Sequence, residues 1–240
     1  MASLRWSAVQ SLLKNESPSS ILEIGCGQGG FGARFAHRAR YLGVEPDAQS
    51  FGVASERITP RGGTVLHGLV NVVPGDEKFD LVCAFEVLEH IDDDVAALRE
   101  WMNRLQPSGQ ILISVPAGPD RFGPMDTLVG HFRRYSAESL TSVMGEAGCV
   151  DIRTTLYGWP LGYGLESVRN VIARTKSARQ LATMEERSAQ SGRLLQPDGL
   201  IGHLVRWVLP PFASLQRAHA ERGTGLIAIG RFSNSPHDSH

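Results

Sequence analysis

An apolar segment that runs into alternating glycines, ILEIGCGQGG at residues 21–30, constrains the fold of this chain more than any other stretch. A short apolar run bounded by glycines is typical of a buried strand followed by a tight turn. Similar apolar runs recur along the chain, and segments with helical periodicity separate them. Strands that alternate with helices predict an α/β fold, in which helices cover both faces of a mostly parallel sheet.

The apolar runs after the glycines divide the chain. FDLVCAF, at residues 79–85, is a continuous run of the kind that is buried on both faces of a parallel sheet. The other predicted strands are RYLGVEP, a weaker TVLHG, ILISV, residues 150–156 and the final GLIAIGRF. Helices are expected directly after the glycines and over DDDVAALREWMNRL, which should stop at the turn 106–109 before ILISV. We therefore expect a core at 1–156, a helical insertion at 157–222, a last core strand at 223–232 and a disordered tail at 233–240.

Composition argues against several classes of protein. The chain has 240 residues and a net charge of −1, so no general attraction to nucleic acid is expected. Its three cysteines are widely spaced, which is typical of a reducing compartment and not of a disulfide framework. No segment has the length and apolarity of a secretory signal or a transmembrane span. These features together predict a cytoplasmic protein.

The glycine turn allows two interpretations. One pattern, Gly25, Gly27 and Gly30, matches the turn that binds a dinucleotide. The other pattern is Glu23, Gly25, Gly27 and Gly29. The carboxylate of Glu23 would repel a pyrophosphate, and it would attract a ligand that carries an ammonium and a sulfonium. S-adenosylmethionine is such a ligand, and Glu23 therefore favours the second interpretation.

Four motifs, in order and at the right spacing, resemble the class I S-adenosylmethionine-dependent methyltransferases. These motifs are LEIGCGQGG, YLGVEPD, FDLVCAFEVLEHI and LQPSGQILISVP. The resemblance covers roughly residues 18–156 and the last strand. It implies a Rossmann-like sheet of seven strands, mostly parallel, whose final strand is antiparallel.

The same resemblance implies which residues bind the cofactor. Glu23 and the glycine backbone would hold the methionine end, Glu45 the ribose hydroxyls, and Phe85 and Glu86 the methyl side. The full set is Glu23, Gly25, Cys26, Gly27, Gly29, Glu45, Pro46, Phe85 and Glu86. Family members often carry an acidic residue after the third strand that contacts adenine. Leu69 falls near that position here, and the adenine contact stays unassigned.

The segment FEVLEH is a candidate metal site. Glu86, Glu89 and His90 fall at i, i+3 and i+4, so on a helical turn they would share one face and suit a divalent cation. The pattern resembles the metal site of ubiquinone-pathway O-methyltransferases. It also resembles that of small-RNA 3′-terminal 2′-O-methyltransferases, where a downstream histidine, here His131, completes the shell. The resemblance implies Mg²⁺ or Mn²⁺; the alternative is that Glu89 and His90 only begin a helix.

The segment MDTLVGHFRRYS is the candidate catalytic loop. Histidine has an ordinary pKa near neutrality, which suits His131 to act as a general base. Arg133 and Arg134 are donors suited to a carboxylate or phosphate of the acceptor, and Tyr135 adds a ring and a hydroxyl. The alternative is that the arginines pair with local acids such as Asp126 and only brace the loop.

The predicted function is methyl transfer from S-adenosylmethionine to an oxygen or nitrogen of a small-molecule acceptor. The alternatives are a metal-dependent RNA 2′-O-methyltransferase and a non-catalytic relative that only binds the cofactor. A nicotinamide oxidoreductase is disfavoured by Glu23. The insertion 157–222 would form a lid over the acceptor or a homodimer contact, or an interfacial helix that reaches a lipid-like acceptor.

Overall fold

The computed structural model describes residues 2–177 and 221–232. Within these residues, strands and helices alternate as the sequence predicts. The strands are β1 Ser20–Ile24, β2 Arg40–Glu45, β3 Thr64–His67, β4 Phe79–Phe85, β5 Leu105–Pro116, β6 Cys149–Gly158 and β7 Gly223–Phe232. The α-helices are α1 Ala2–Leu12, α2 Gly32–Phe35, α3 Ala48–Ile58, α4 Asp94–Met102, α5 Pro124–Val129, α6 Ala137–Glu146 and α7 Leu161–Ser177.

The strands form one sheet of seven, in the order β3-β2-β1-β4-β5-β7-β6. Neighbours from β3 to β5 are parallel, and β7 runs antiparallel to both β5 and β6. The predicted α/β, seven-stranded, mostly parallel sheet is therefore confirmed. Strand order reverses between β1 and β4, which opens a crevice at the carboxyl ends of these strands.

Both faces of the sheet are covered. On one face, Val82 and Ala84 of β4 pack in a cluster with residues of α4 and α6. On the other face, Leu81 and Cys83 pack with residues of α1, α2 and α3. Because successive side chains of a strand point to opposite faces, burial of both faces requires a continuous apolar run. FDLVCAF is such a run.

Two strands differ from the sequence prediction, whereas the helix expected after the glycines is present as α2, with four residues. β5 starts at Leu105 and includes the expected turn, since Phe79 pairs with Leu105 and Leu81 then pairs with Gln110. The intervening residues bulge out of the ladder without ending the strand. β6 continues two residues beyond the predicted end, to Gly158.

The predicted helical insertion is described in part. α7 forms its first section and packs against α5 and β7. The remainder of the insertion, 178–220, and the predicted disordered tail, 233–240, lie outside the described residues. Among the described helices, none has the length and apolarity needed to cross a membrane.

Truncation of a core side chain on α4 should destabilise the fold. Leu98 is completely buried, so Leu98→Ala should lower the free energy of unfolding by about 2–5 kcal/mol through lost burial and a residual cavity. Urea unfolding measures this loss. Glu100→Ala, at an exposed position of the same helix, is the control and should change stability by less than about 0.5 kcal/mol. Equal losses in the two variants would contradict the packing described for α4.

Candidate functional site

The turn after β1 depends on glycines at alternate positions. Gly25, Gly27 and Gly29 have φ values of 63°, 53° and 74°, in the left-handed region that side chains rarely adopt. A Cβ on Gly25 would come within 2.8 Å of Val87 Cγ2, and one on Gly29 within 2.7 Å of Ile58 Cδ1. The turn therefore follows the second sequence pattern, with Gly29, and does not depend on a left-handed Gly30.

Glu45 closes this turn from the end of β2. Its Oε2 accepts a hydrogen bond from the Gly27 N–H at 2.8 Å, and its Oε1 accepts one from the Asp47 N–H at 3.0 Å. Burial raises the pKa of Glu45, and the two amides oppose that shift. The next residue, Pro46, has its carbonyl 3.0 Å from His67 Nε2, at the end of β3. The ends of β1, β2 and β3 are thus joined by polar contacts.

Glu23 and Cys26 are buried beside the turn. The Tyr41 hydroxyl donates to Glu23 Oε2 at 2.7 Å. Burial nevertheless raises the pKa of Glu23 to about 8, so this carboxyl is largely protonated at neutral pH. Glu23 can therefore attract a cationic ligand, as the sequence suggests, only if the approach of that ligand lowers the pKa of Glu23 and ionises it. Burial also raises the pKa of the Cys26 thiol, which makes it unreactive.

The end of β4 presents Phe85 and Glu86. Phe85 is buried, and its ring meets Phe31 edge-to-face with 4.6 Å between ring centroids. Glu86 has a φ of 60°, a strained conformation for a residue with a side chain. Its Oε1 accepts from the Ser114 hydroxyl at 2.9 Å, and its Oε2 lies 3.1 Å from Arg5 Nη2. These contacts fix the carboxylate at the sheet edge, next to the glycine turn.

A cavity of about 240 Å³ lies beyond Glu86. His90 and His131 contribute polar groups to its wall. Its apolar lining includes Met125, Leu128 and Val129 of α5 and Leu165 and Ile172 of α7. An apolar cavity with a few converging polar groups is the usual form of a small-molecule site.

A buried carboxylate orients His131. Asp126 Oδ1 lies 2.8 Å from His131 Nδ1, and Asp126 also accepts from Arg134 Nε at 2.8 Å and Nη2 at 2.7 Å. Burial opposes ionisation of Asp126, but the hydrogen bonds from His131 and Arg134 lower its pKa to about 2. Because an ionised carboxylate can only accept, His131 donates through Nδ1 and keeps Nε2 as an acceptor in its neutral form.

The arginines and tyrosine of the loop have structural partners. Arg134 lines the cavity and pairs with Asp126 and with Glu166 of α7. Arg133 Nη1 and the Tyr135 hydroxyl both donate to Asp94 Oδ2, at 3.0 Å and 2.9 Å, at the start of α4. Neither of these two residues lines the cavity. The geometry therefore does not support the expected acceptor contacts of Arg133 and Tyr135; their bonds brace the loop.

The candidate metal ligands are only partly those expected. Glu89, His90 and His131 have potential ligand atoms within 4.8 Å of one another, and Glu86 is not in this group. The helical spacing argument fails at Glu86 because its backbone is left-handed and the short 3₁₀ turn begins only at Leu88. His131 occupies the third place instead.

Glu89 is the unusual member of this cluster. It is completely buried, and neither carboxylate oxygen has a hydrogen-bond partner within the described residues. Its Oε1 lies 3.9 Å from His131 Nε2, too far for a hydrogen bond. Burial and repulsion from Glu86 raise the pKa of Glu89 well above its ordinary value. Burial and the neighbouring His131 lower the pKa of His90 to about 4, so its ring is neutral and available as a ligand.

No sequence pattern pointed to Arg5 or Tyr157. Arg5 Nε donates to the Tyr157 hydroxyl at 2.8 Å, across 152 positions of sequence, and both side chains contact Glu86. Only the tertiary fold brings these residues together. Asp126 did carry a signal, since it lies in the same segment as His131 and was an expected partner of the arginines.

The comparisons with known proteins agree with this geometry. A family model described as a methyltransferase domain matches residues 4–154, and the chain belongs to this methyltransferase family. The chain is 31% identical over 148 residues to a probable S-adenosylmethionine-dependent methyltransferase of Mycobacterium tuberculosis, covering 60% of this chain and 53% of that protein. It is 31% identical over 108 residues to the mitochondrial ubiquinone biosynthesis O-methyltransferase of Candida albicans, covering 42% and 33%. The chain thus spans about half, or less, of these curated relatives.

A solved structure shares the fold. NodS, an N-methyltransferase of Bradyrhizobium japonicum determined in complex with S-adenosyl-L-homocysteine, superposes with a TM-score of 0.58. The match covers 96% of this chain and 87% of that chain at 15% identity. The Rossmann-like methyltransferase fold implied by the four motifs is thereby confirmed.

Removal of the charge on Asp126 should weaken the loop. Asp126→Asn should lower the free energy of unfolding by roughly 2–3 kcal/mol, because Arg134 and His131 would lose a buried ionised acceptor. Chemical denaturation at neutral pH measures the loss. Asp120→Asn, an exposed aspartate six positions earlier, is the matched control and should be nearly neutral. Asp126→Asn as stable as this control would show that the network does not hold the loop.

Proposed function

We propose that this protein transfers a methyl group from S-adenosylmethionine to an oxygen or nitrogen of a small-molecule acceptor. The observation that carries the proposal is a left-handed glycine turn, closed by Glu45, that lies against Val87, the residue that follows Glu86; Glu86 and His131 line the cavity. A cavity of about 240 Å³ suits a small acceptor. Relatives named for O-methylation and for N-methylation support a heteroatom acceptor of either kind.

The residues at the turn fit the cofactor. Nothing lies within 4 Å of the position that a Cβ on Gly27 would take, so the backbone there is open to close approach by a ligand. Each oxygen of Glu45 accepts one backbone N–H and keeps a lone pair for a ribose hydroxyl. Glu23 ionises when an ammonium group binds nearby, because the opposite charge offsets its burial. When bound, the cofactor supplies a methyl group that its sulfonium has already activated.

His131 is the proposed base. Its Nδ1–H is held by Asp126, which leaves Nε2 to accept the proton of the acceptor's hydroxyl or amine. Asp126 is ionised and stabilises the imidazolium that results. Arg134 and Glu166 position Asp126 by the ion pairs that connect the loop to α7. The same network of hydrogen bonds and ion pairs thus orients His131 and stabilises its protonated form.

A divalent cation at Glu89, His90 and His131 is a second role that the same residues support. The observation favouring it is the buried Glu89 carboxylate, whose two oxygens have no partner in the described part of the chain. Two imidazoles and one carboxylate suit Mn²⁺ better than Mg²⁺, which prefers oxygen ligands. An ion there would lower the pKa of an acceptor hydroxyl.

Calorimetry with S-adenosylhomocysteine and with NADH tests the cofactor. Wild-type protein should bind the first and not the second. Glu45→Ala should weaken S-adenosylhomocysteine by about 30- to 1000-fold, since two ribose hydrogen bonds to a charged group contribute on the order of 2–4 kcal/mol. Glu56→Ala, on the exposed side of α3, should bind like wild type. Binding of NADH without S-adenosylhomocysteine would contradict the proposal.

Thermal unfolding with and without Mn²⁺ tests the cation. Mn²⁺ at 100 times its dissociation constant should stabilise wild-type protein by about 2.7 kcal/mol. Glu89→Gln should lose this stabilisation. In the presence of a chelator this variant should be at least as stable as wild type, because it replaces a buried carboxyl group whose ionisation is unfavourable by a neutral amide. His37→Ala, at an exposed histidine, controls for weak surface binding of the ion. Equal stabilisation of Glu89→Gln and wild type by Mn²⁺ would contradict the cation site, and His131 would then keep only its proposed role as the base.

A further inference from the structure

One face of α7 forms a wall of the acceptor cavity. The residues of α7 that line it are Gly162, Leu165, Glu166, Arg169 and Ile172. Their spacing of three and four positions places them on the same side of the helix. Leu165 lies one turn before Arg169 and Ile172 one turn after it. The positively charged side chain of Arg169 therefore lies between two apolar side chains on the face of α7 that lines the cavity.

Arg169 differs from the other arginines of the cavity. Arg5 pairs with Glu86, and Arg134 pairs with Asp126 and Glu166. The side chain of Arg169 forms no hydrogen bond or ion pair with any residue in the ranges 2–177 and 221–232. It is half-buried, and burial lowers its pKa, which attraction to the nearby Glu86 and Glu166 offsets only in part.

We propose that Arg169 binds a carboxylate of the acceptor, so that the substrate is a small molecule with an apolar body and one carboxylate. This inference rests on the proposed function of the same site. A guanidinium offers two parallel N–H donors that match a carboxylate, and pairing in a partly desolvated cavity is stronger than at the surface. The flanking Leu165 and Ile172, with Leu128 and Val129 of α5 opposite, supply the apolar contacts.

A carboxylate fits this surface better than a phosphate. Arg169 contributes one positive charge in excess, because the charges of Arg5, Arg121 and Arg134 are matched by three carboxylates, Glu86, Asp126 and Glu166. A carboxylate carries one negative charge, whereas a phosphate ester carries up to two and would retain an unmatched charge in the cavity. The methionine carboxylate of the cofactor has the same chemistry, and the experiment must separate it from a carboxylate on the acceptor.

Matched probes can be titrated into the protein saturated with S-adenosylhomocysteine. The probes are 3-phenylpropanoate, its neutral amide and 2-phenylethyl phosphate, which share an apolar ring and differ in the head group. Wild-type protein should bind the carboxylate about 10- to 100-fold more tightly than the amide, as charge-assisted hydrogen bonds predict. Arg169→Gln should bind the carboxylate and the amide equally, whereas Arg169→Lys should keep part of the preference for the carboxylate. Arg153→Gln, which changes an exposed arginine of β6, is the control and should keep the full preference.

Each other outcome overturns the inference in a distinguishable way. No preference in wild type, or a preference that survives in Arg169→Gln, removes the carboxylate site and leaves the proposed methyl transfer intact. Tighter binding of the phosphate assigns Arg169 to a different substrate class. A loss of S-adenosylhomocysteine affinity in Arg169→Gln, with the probe preference unchanged, assigns Arg169 to the cofactor's carboxylate. Failure of wild-type protein to bind S-adenosylhomocysteine instead contradicts the proposed function.

Discussion

Burial of the central strands on both faces determines where this protein can place polar chemistry. β1 and β4 lie inside the sheet with helices above and below them, so an ionisable group along their length loses water, and burial keeps Glu23 of β1 largely protonated. The carboxyl ends of the strands are the exception. Glu45 and Glu86 lie at or just beyond such ends, where backbone N–H groups of the adjoining turns fix Glu45 and the Ser114 hydroxyl of β5 fixes Glu86. The site is therefore a consequence of the sheet's topology.

Ion pairs and charge-assisted hydrogen bonds hold together the wall of the cavity that contains His131. Asp126 joins the loop histidine to Arg134, and Arg134 joins both to Glu166 on α7. Because the carboxylates and guanidinium are shielded from solvent, each depends on its neighbours for a partner, and loss of one leaves another unmatched. The position of α7 and the orientation of His131 are consequently linked through a chain of three side chains. A displacement of α7 would therefore also change the orientation of His131.

The sequence predicted what depends on local pattern and missed what depends on the tertiary fold. The strands, the glycine turn and the position of Glu45 at the end of β2 could be predicted, because each depends on a pattern within a few consecutive residues. Glu86 was misassigned to the metal cluster because its spacing assumes a helix, whereas its backbone turns left-handed there. The role proposed for Arg169 could not be predicted from the sequence, since it depends on which acidic side chains the tertiary fold places against each arginine. The shifted pKa of Glu23 follows from burial beside Tyr41, which no spacing reveals.

The order of the strands also has a consequence for biosynthesis. β7, the last strand along the chain, inserts between β5 and β6, which were made more than sixty residues earlier. Until residues 223–232 emerge from the ribosome, the facing edges of β5 and β6 have no hydrogen-bonding partner. The half of the sheet that carries the glycine turn can pair as it is synthesised, since β1 to β5 are joined to one another. The other half is completed only by the final strand, and until then its open edges could pair with another chain.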